Sequence, residues 1–282
     1  MRGKRALLTV VAALSAALAV LSGVMLYRSY ADSRRSAESF AELAEMVSSA
    51  PAPPQTPEPA EKAPENAPPA GDEAEPAVEP EPEPEPEPLT AYEKYAAVLE
   101  ENADFVGWLR IDGTGINFPV MQTPDRPDYY LKRGFDRSYS SHGVPYMEEN
   151  CRAGESDNCV IYGHNMRDGT MFADLCRYES RDFWQEHPMI CFDTTESFGE
   201  YEVMYVFKTT AYTEDSFQYY LFTDAENAEE YDAFLRQCAE LSLYDTGVTA
   251  AYGDRLLTLS TCEYSRTDGR MVVVAKRAYP AE

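Results

Sequence analysis

Residues able to run acyl chemistry through a sulfur occur in this chain where strands are expected to end. Cys262 closes the run Leu256-Leu-Thr-Leu-Ser-Thr261, whose apolar and β-branched residues predict a buried strand, and Met271 to Ala275 predicts a second one. The step from Cys262 to Arg270, with Asp268-Gly269 as its turn signal, predicts an antiparallel return. A thiol and a guanidinium would then share one sheet end. Upstream, Asn158-Cys-Val-Ile-Tyr162 predicts another short strand, and it runs into Gly163-His164, which can bring an imidazole to the same rim. Cysteine, histidine and arginine are the parts of a thiol acyl-transfer site.

Each part has a distinct task. A thiolate is the nucleophile, and an ordinary thiol is mostly protonated near neutral pH, so a neighbouring cation is needed; His164 and Arg270 are the suppliers. Arginine cannot serve as a base, which leaves Arg270 to hydrogen-bond substrate or a developing oxyanion. His164 is the proton donor to a leaving amine, after a glycine that admits close backbone approach. The other histidines fit less well. His187 precedes Pro188 and reads as the end of a helix, and His142 sits in the loop Ser140-Ser-His-Gly143 with Val144, not a thiol, after it. The plain alternatives are a buried structural Cys262 and an Arg270 paired with Glu263 or Asp268 at a strand edge.

Two of these blocks, Leu259-Ser-Thr-Cys262 followed by Arg270, and Ile161-Tyr-Gly-His164-Asn165 with Met171-Phe172 after it, resemble the signature of sortases. Val106-Gly-Trp-Leu-Arg-Ile111, Phe118-Pro-Val-Met-Gln122, Tyr130-Leu131 and a helical insert before the cysteine strand are similar to class B sortases in particular. The similarity runs from residue 90 to residue 279. It implies an eight-stranded sortase-like β-barrel and a Cys262/His164/Arg270 site; no cofactor is expected, and no Cys-x-x-Cys or Cys/His ligand spacing points to a zinc site. It also implies a membrane-anchored, extracytoplasmic cysteine transpeptidase. Such an enzyme cleaves a sorting signal in secreted proteins through a Cys262 thioester and passes the acyl group to an amine of a peptidoglycan precursor or a pilin. Class B relatives often have an asparagine about three residues before the Tyr-Leu pair; here Pro127 stands in its place. Two rivals stay open at this point, a cysteine protease in which water resolves the thioester, and a catalytically silent surface binding module.

The elements that must hold these residues read as mainly β with peripheral helices. Short strands are expected at Val106 to Ile111, Gly115 to Met121, Val144 to Met147, Asn158 to Tyr162, Met189 to Phe192, Tyr201 to Lys208, Arg255 to Thr261 and Met271 to Ala278, which suits a closed barrel or a sandwich. Thr90 with Glu93 forms a capping box opening a helix whose apolar stripe would be Tyr92, Tyr95, Ala96 and Leu99. Helices are also expected at Met171 to Glu186 and Ala225 to Leu243, both covering barrel openings.

In front of this catalytic domain, residues 89–282, lie three other segments. Residues 1–28 hold a cytoplasmic tip and the 22 uncharged residues Ala6 to Tyr27, enough at about 1.5 Å per residue to cross a bilayer core of roughly 30 Å and longer than the apolar part of a signal peptide. Basic residues flank it on both sides, so charge does not set its orientation; the resemblance places the enzyme outside. Residues 29–50 read as a membrane-proximal stalk or packing helix with Phe40, Leu43 and Met46 at helical spacing. Residues 51–88 contain 14 of the chain's 20 prolines and end in Glu-Pro repeats, which predicts a disordered linker with a reach of about 100 Å. The net charge of −25 divides into +2 for residues 1–50, −10 for 51–88 and −17 for 89–282. So acidic a surface excludes nucleic acid as a partner. Of six cysteines, Cys159, Cys176, Cys191 and Cys238 lie in apolar patterns and read as small buried hydrophobes.

Overall fold

In chain order the elements are α1 (Arg2–Ser49), α2 (Ala91–Glu101), β1 (Phe105–Arg110), β2 (Asn117–Met121), β3 (Tyr146–Met147), β4 (Asn158–Tyr162), α3 (Arg181–Glu186), β5 (Met189–Thr194), β6 (Glu200–Thr210), α4 (Ala228–Leu241), β7 (Leu256–Cys262) and β8 (Gly269–Arg277). The structure is a computed structural model that describes residues 2–49, 89–211 and 216–278; the expected linker, 51–88, lies outside the described residues.

The eight strands close into a barrel in the order β1-β2-β3-β4-β7-β8-β6-β5, with β5 pairing back onto β1. The pairs β2–β3 and β4–β7 are parallel, and the other six are antiparallel. Strands expected from the sequence all occur, with shifted ends: β5 and β6 run on to Thr194 and Thr210, whereas a turn in which Ile111 N donates to Ile116 O (2.9 Å) delays β2 to Asn117. Leu257, Leu259, Val273 and Ala275 point into the barrel core, whereas their neighbours Leu256, Val272 and Val274 belong to a second apolar cluster on the outer face. Tyr231, Phe234, Leu235 and Cys238 of α4 complete that second cluster. The helix therefore covers the outside of the β6–β8–β7 wall and not an opening. This corrects the sequence expectation, and it explains why all residues of β7 up to Thr261 are buried: the strand is covered on both faces.

The expected helix from Met171 to Glu186 is divided. A 3₁₀ helix spans Phe172–Glu179, Ser180 is extended, and α3 follows. Phe172, Leu175, Tyr178 and Phe183 from this stretch join the barrel core. The capping box at Thr90 forms as expected, with Thr90 N donating to Glu93 Oε2 (2.8 Å) and Glu93 N to Thr90 Oγ1 (3.3 Å). The buried stripe of α2 is Ala91, Tyr95 and Val98, whereas Tyr92 is exposed.

The last third of α1 lies on the barrel. Phe40 and Leu43 are buried in the main core, and the Phe40 ring meets Phe118 of β2 edge-on at 5.1 Å. Polar contacts extend the seam toward the N-terminus: Asp32 accepts from the backbone N and hydroxyl of Ser141, and Ser33 Oγ donates to Asp168 Oδ2 (3.0 Å). His142, 3% exposed, stands between the two carboxylates, with Nδ1 3.6 Å from Asp32 and Nε2 3.3 Å from Asp168. Burial opposes charge on Asp168, but hydrogen bonds from the Thr170 side chain and backbone, His142 and Ser33 outweigh it and bring its carboxyl down to about 2. The helix has one apolar stretch long enough to cross a membrane, near its N-terminus and unburied by the protein.

Candidate active site

Strand β7 ends on Cys262, and the register of the β7–β8 ladder sets Arg270 directly opposite it. The return between them turns at Asp268, whose φ of +52° is the left-handed conformation that Asp tolerates in turns. Glu263 N donates to Gly269 O (2.8 Å), so pairing continues beyond Cys262. On the other side of β7 the parallel strand β4 runs in register, Tyr162 beside Ser260, and then delivers Gly163 and His164. Cys262, Arg270 and His164 thus come from the same end of three adjacent strands. All three are half-buried. The grouping expected from the sequence is the one that the strand order creates.

Local contacts fix each member. Arg270 Nη1 donates to Gly269 O at 3.0 Å. Glu263 is engaged by the backbone N and hydroxyl of Ser265 and by Lys208 Nζ (3.8 Å), and Lys208 also pairs with Glu179 at 2.7 Å. His164 Nε2 lies 2.7 Å from the backbone oxygen of Leu131, which follows the buried Tyr130 in the 3₁₀ helix Tyr129–Lys132. A carbonyl oxygen only accepts, so Nε2 carries the hydrogen and Nδ1 is left for proton exchange. Gly163 is required by packing, because a Cβ there would stand 2.5 Å from Phe172 Cγ. Thr261 Oγ1 donates to Gly163 O (2.7 Å) and ties β7 to the same point.

The other histidines have structural surroundings. His187 caps α3, with Nδ1 against Asp112 O (2.8 Å) and its ring on Phe183 at 4.4 Å. His142 belongs to the α1 seam. The six cysteines are free thiols; Cys151, Cys159 and Cys238 are buried, and Cys176, Cys191 and Cys262 are half-buried. Burial pushes the Cys176 thiol up to about 11, with Glu263 adding to the shift, so Cys176 stays neutral near neutral pH. Sequence reasoning missed three contributors: the Leu131 carbonyl, Cys176 and the Asn165 side chain. Asn165 and Leu131 each stood in a quoted block, after His164 and in the Tyr130-Leu131 pair, but nothing in those blocks showed what their polar groups bind.

A family model described as the sortase domain matches residues 109–278. Sortase B of Staphylococcus aureus (strain NCTC 8325 / PS 47) is 38% identical over 178 residues, 62% of this chain and 70% of that protein. Sortase B of Listeria monocytogenes serovar 1/2a (strain ATCC BAA-679 / EGD-e) is 35% identical over 178 residues, with the same coverage of 62% and 70%. Among solved structures, a Staphylococcus aureus sortase B–substrate complex aligns with a TM-score of 0.61 at 33% identity, over 67% of this chain and 86% of that one. The chain belongs to the sortase family, class B, and is an enzyme of the cysteine transpeptidase type.

Proposed function

We propose that this enzyme is tethered to the cell membrane through the apolar part of α1, works outside the cytoplasm, and joins secreted proteins carrying a sorting signal to a cell-wall or pilin amine. Cys262 is the nucleophile, His164 the acid and base, and Arg270 the electrostatic stabiliser. The thiolate attacks the scissile carbonyl, and the oxyanion that forms is held by the Arg270 guanidinium. As the C–N bond breaks, His164 gives a proton to the departing amine and a thioester remains on Cys262. An acceptor amine then attacks the thioester, His164 takes its proton, and the C–S bond breaks to leave a new amide and the free thiolate. The observation that carries this reading is the meeting of Cys262, Arg270 and the His164 segment at one end of β7, β8 and β4. Pro127 precedes the Tyr130-Leu131 pair and has no side-chain amide, so no amide from that position assists here.

The test is incubation of the purified protein with a library of sorting-signal peptides, with and without primary amines. Cleavage together with an amine-dependent ligated product is the expected result. Hydrolysis alone at every amine concentration would make the enzyme a protease, and no cleavage of any peptide would overturn the reading.

A further inference from the structure

The parallel ladder between β4 and β7 stops in an unusual way. Gly163 N donates to Ser260 O (3.1 Å), and in a regular parallel ladder the next acceptor, Cys262 O, would take the main-chain N–H of residue 165. Here the chain has already turned away toward Met171, with which Asn165 forms an isolated bridge. The Asn165 side chain supplies the missing donor: its Nδ2 lies 2.9 Å from Cys262 O and 3.2 Å from Cys176 Sγ. Its backbone carbonyl accepts the Tyr264 hydroxyl at 2.7 Å. One residue therefore joins the end of β7, the β7–β8 return and the 3₁₀ helix that carries Cys176, and it is the residue that follows His164.

We propose that Asn165 is a positioning residue for acyl transfer: its amide continues the β4–β7 ladder by one bond, so the Cys262 peptide stays fixed where the backbone carrying His164 turns away toward Met171. Cys176, a neutral thiol 3.8 Å from the same carbonyl, is too long and weak a donor to replace it. The proposal rests on Cys262 being the nucleophile. Asn165 touches no reacting atom, so its loss should be felt in turnover more than in substrate binding.

The experiment uses the peptide cleaved fastest in the screen above, with steady-state kinetics from pH 5 to pH 8 on wild type, Asn165→Ala, Asn165→Asp and Cys262→Ala. Asn165→Ala is expected to lower kcat about tenfold with KM changed less than about twofold. Asn165→Asp is isosteric, but its ionised carboxylate only accepts, whereas the protonated acid can donate to Cys262 O as the amide does. Its activity relative to wild type should therefore rise as pH falls, while the Asn165→Ala ratio stays flat. The Asn165→Ala ratio, which adds no charge, controls for the titration of Cys262, His164 and Glu263, and titrating the Cys262 thiol in Asn165→Asp with a thiol reagent separates any shift the new carboxylate imposes on it. A loss confined to KM, a wild-type kcat for Asn165→Ala, or a pH-independent deficit in Asn165→Asp would overturn the proposal. If Asn165→Ala does not fold, as its thermal melt will show, the Asn165→Asp ratio decides alone. Cleavage by Cys262→Ala would overturn the parent reading and this one with it, whereas an inactive Cys262→Ala beside unaffected Asn165 variants would overturn only this one.

Discussion

Arg270 presents a planar fork of donors opposite Cys262, and a lysine there would keep the charge but lose the ability to hold two acceptor oxygens in one plane. Arg270→Lys should therefore lower kcat/KM by about tenfold or more, or about 1.4 kcal/mol of transition-state stabilisation; steady-state peptide cleavage measures this, and near-normal kinetics would remove Arg270 from the site. Gly163 is constrained by space. With Phe172 fully buried, the ring cannot yield to a methyl group 2.5 Å away, so the segment bearing His164 must move. Gly163→Ala should cost about 1–3 kcal/mol of stability, as overpacked cores do, and reduce turnover in the protein that still folds. Both residues were legible in the sequence, Arg270 from its distance to Cys262 across a turn and Gly163 from its place before the histidine. Asn165 was not legible as a partner of Cys262, because its side chain matters only where the parallel ladder ends, and pairing between strands some 100 residues apart leaves no local pattern.

At the level of elements, strand existence was readable because each run is apolar and bounded by turn signals, whereas helix placement was not. The stripe on α4 is the same whether the helix plugs a barrel end or lies along its wall; what decides is that Leu256, Val272 and Val274 face outward, which follows from register. The split of Met171 to Glu186 into a 3₁₀ helix and α3 likewise reflects Phe172 and Leu175 being drawn into the core at the expense of regular helix geometry. The sequence marked Phe40, Leu43 and Met46 as one helical face and left its partner open. The partner is β2 together with α2, and Phe40 and Leu43 are the residues of that face buried there, Phe40 against Phe118. Phe40→Ala should destabilise the folded protein by about 3 kcal/mol, measured by denaturant unfolding of chains that retain α1. An unchanged unfolding midpoint would show that α1 does not stay on the barrel in solution.

For the whole molecule, that seam changes what the Pro/Glu-rich segment can do. The sequence alone suggests that residues 51–88 set the distance between membrane and enzyme. Since α1 packs on the barrel from Asp32 onward, only a few residues beyond Tyr27, this docking would set the distance between the barrel and a membrane that α1 crosses. Halving residues 51–88 should therefore leave both peptide cleavage and attachment of substrate proteins in cells unchanged; attachment that falls in proportion to length would mean that α1 undocks. The acidity of the chain and its barrel were apparent from composition and motif, whereas this docking depends on contacts between residues far apart in the sequence, Phe40 with Phe118 and Asp32 with Ser141. In the proposed reaction Cys262 carries the acyl group. Intact mass and peptide mapping of the protein quenched during turnover test it most directly. A thioester adduct on Cys262 that disappears when an acceptor amine is added, and is absent from Cys262→Ala, is the expected result. An adduct on Cys176 or another cysteine, or cleavage that proceeds with no adduct in a Cys262→Ala protein, would contradict it.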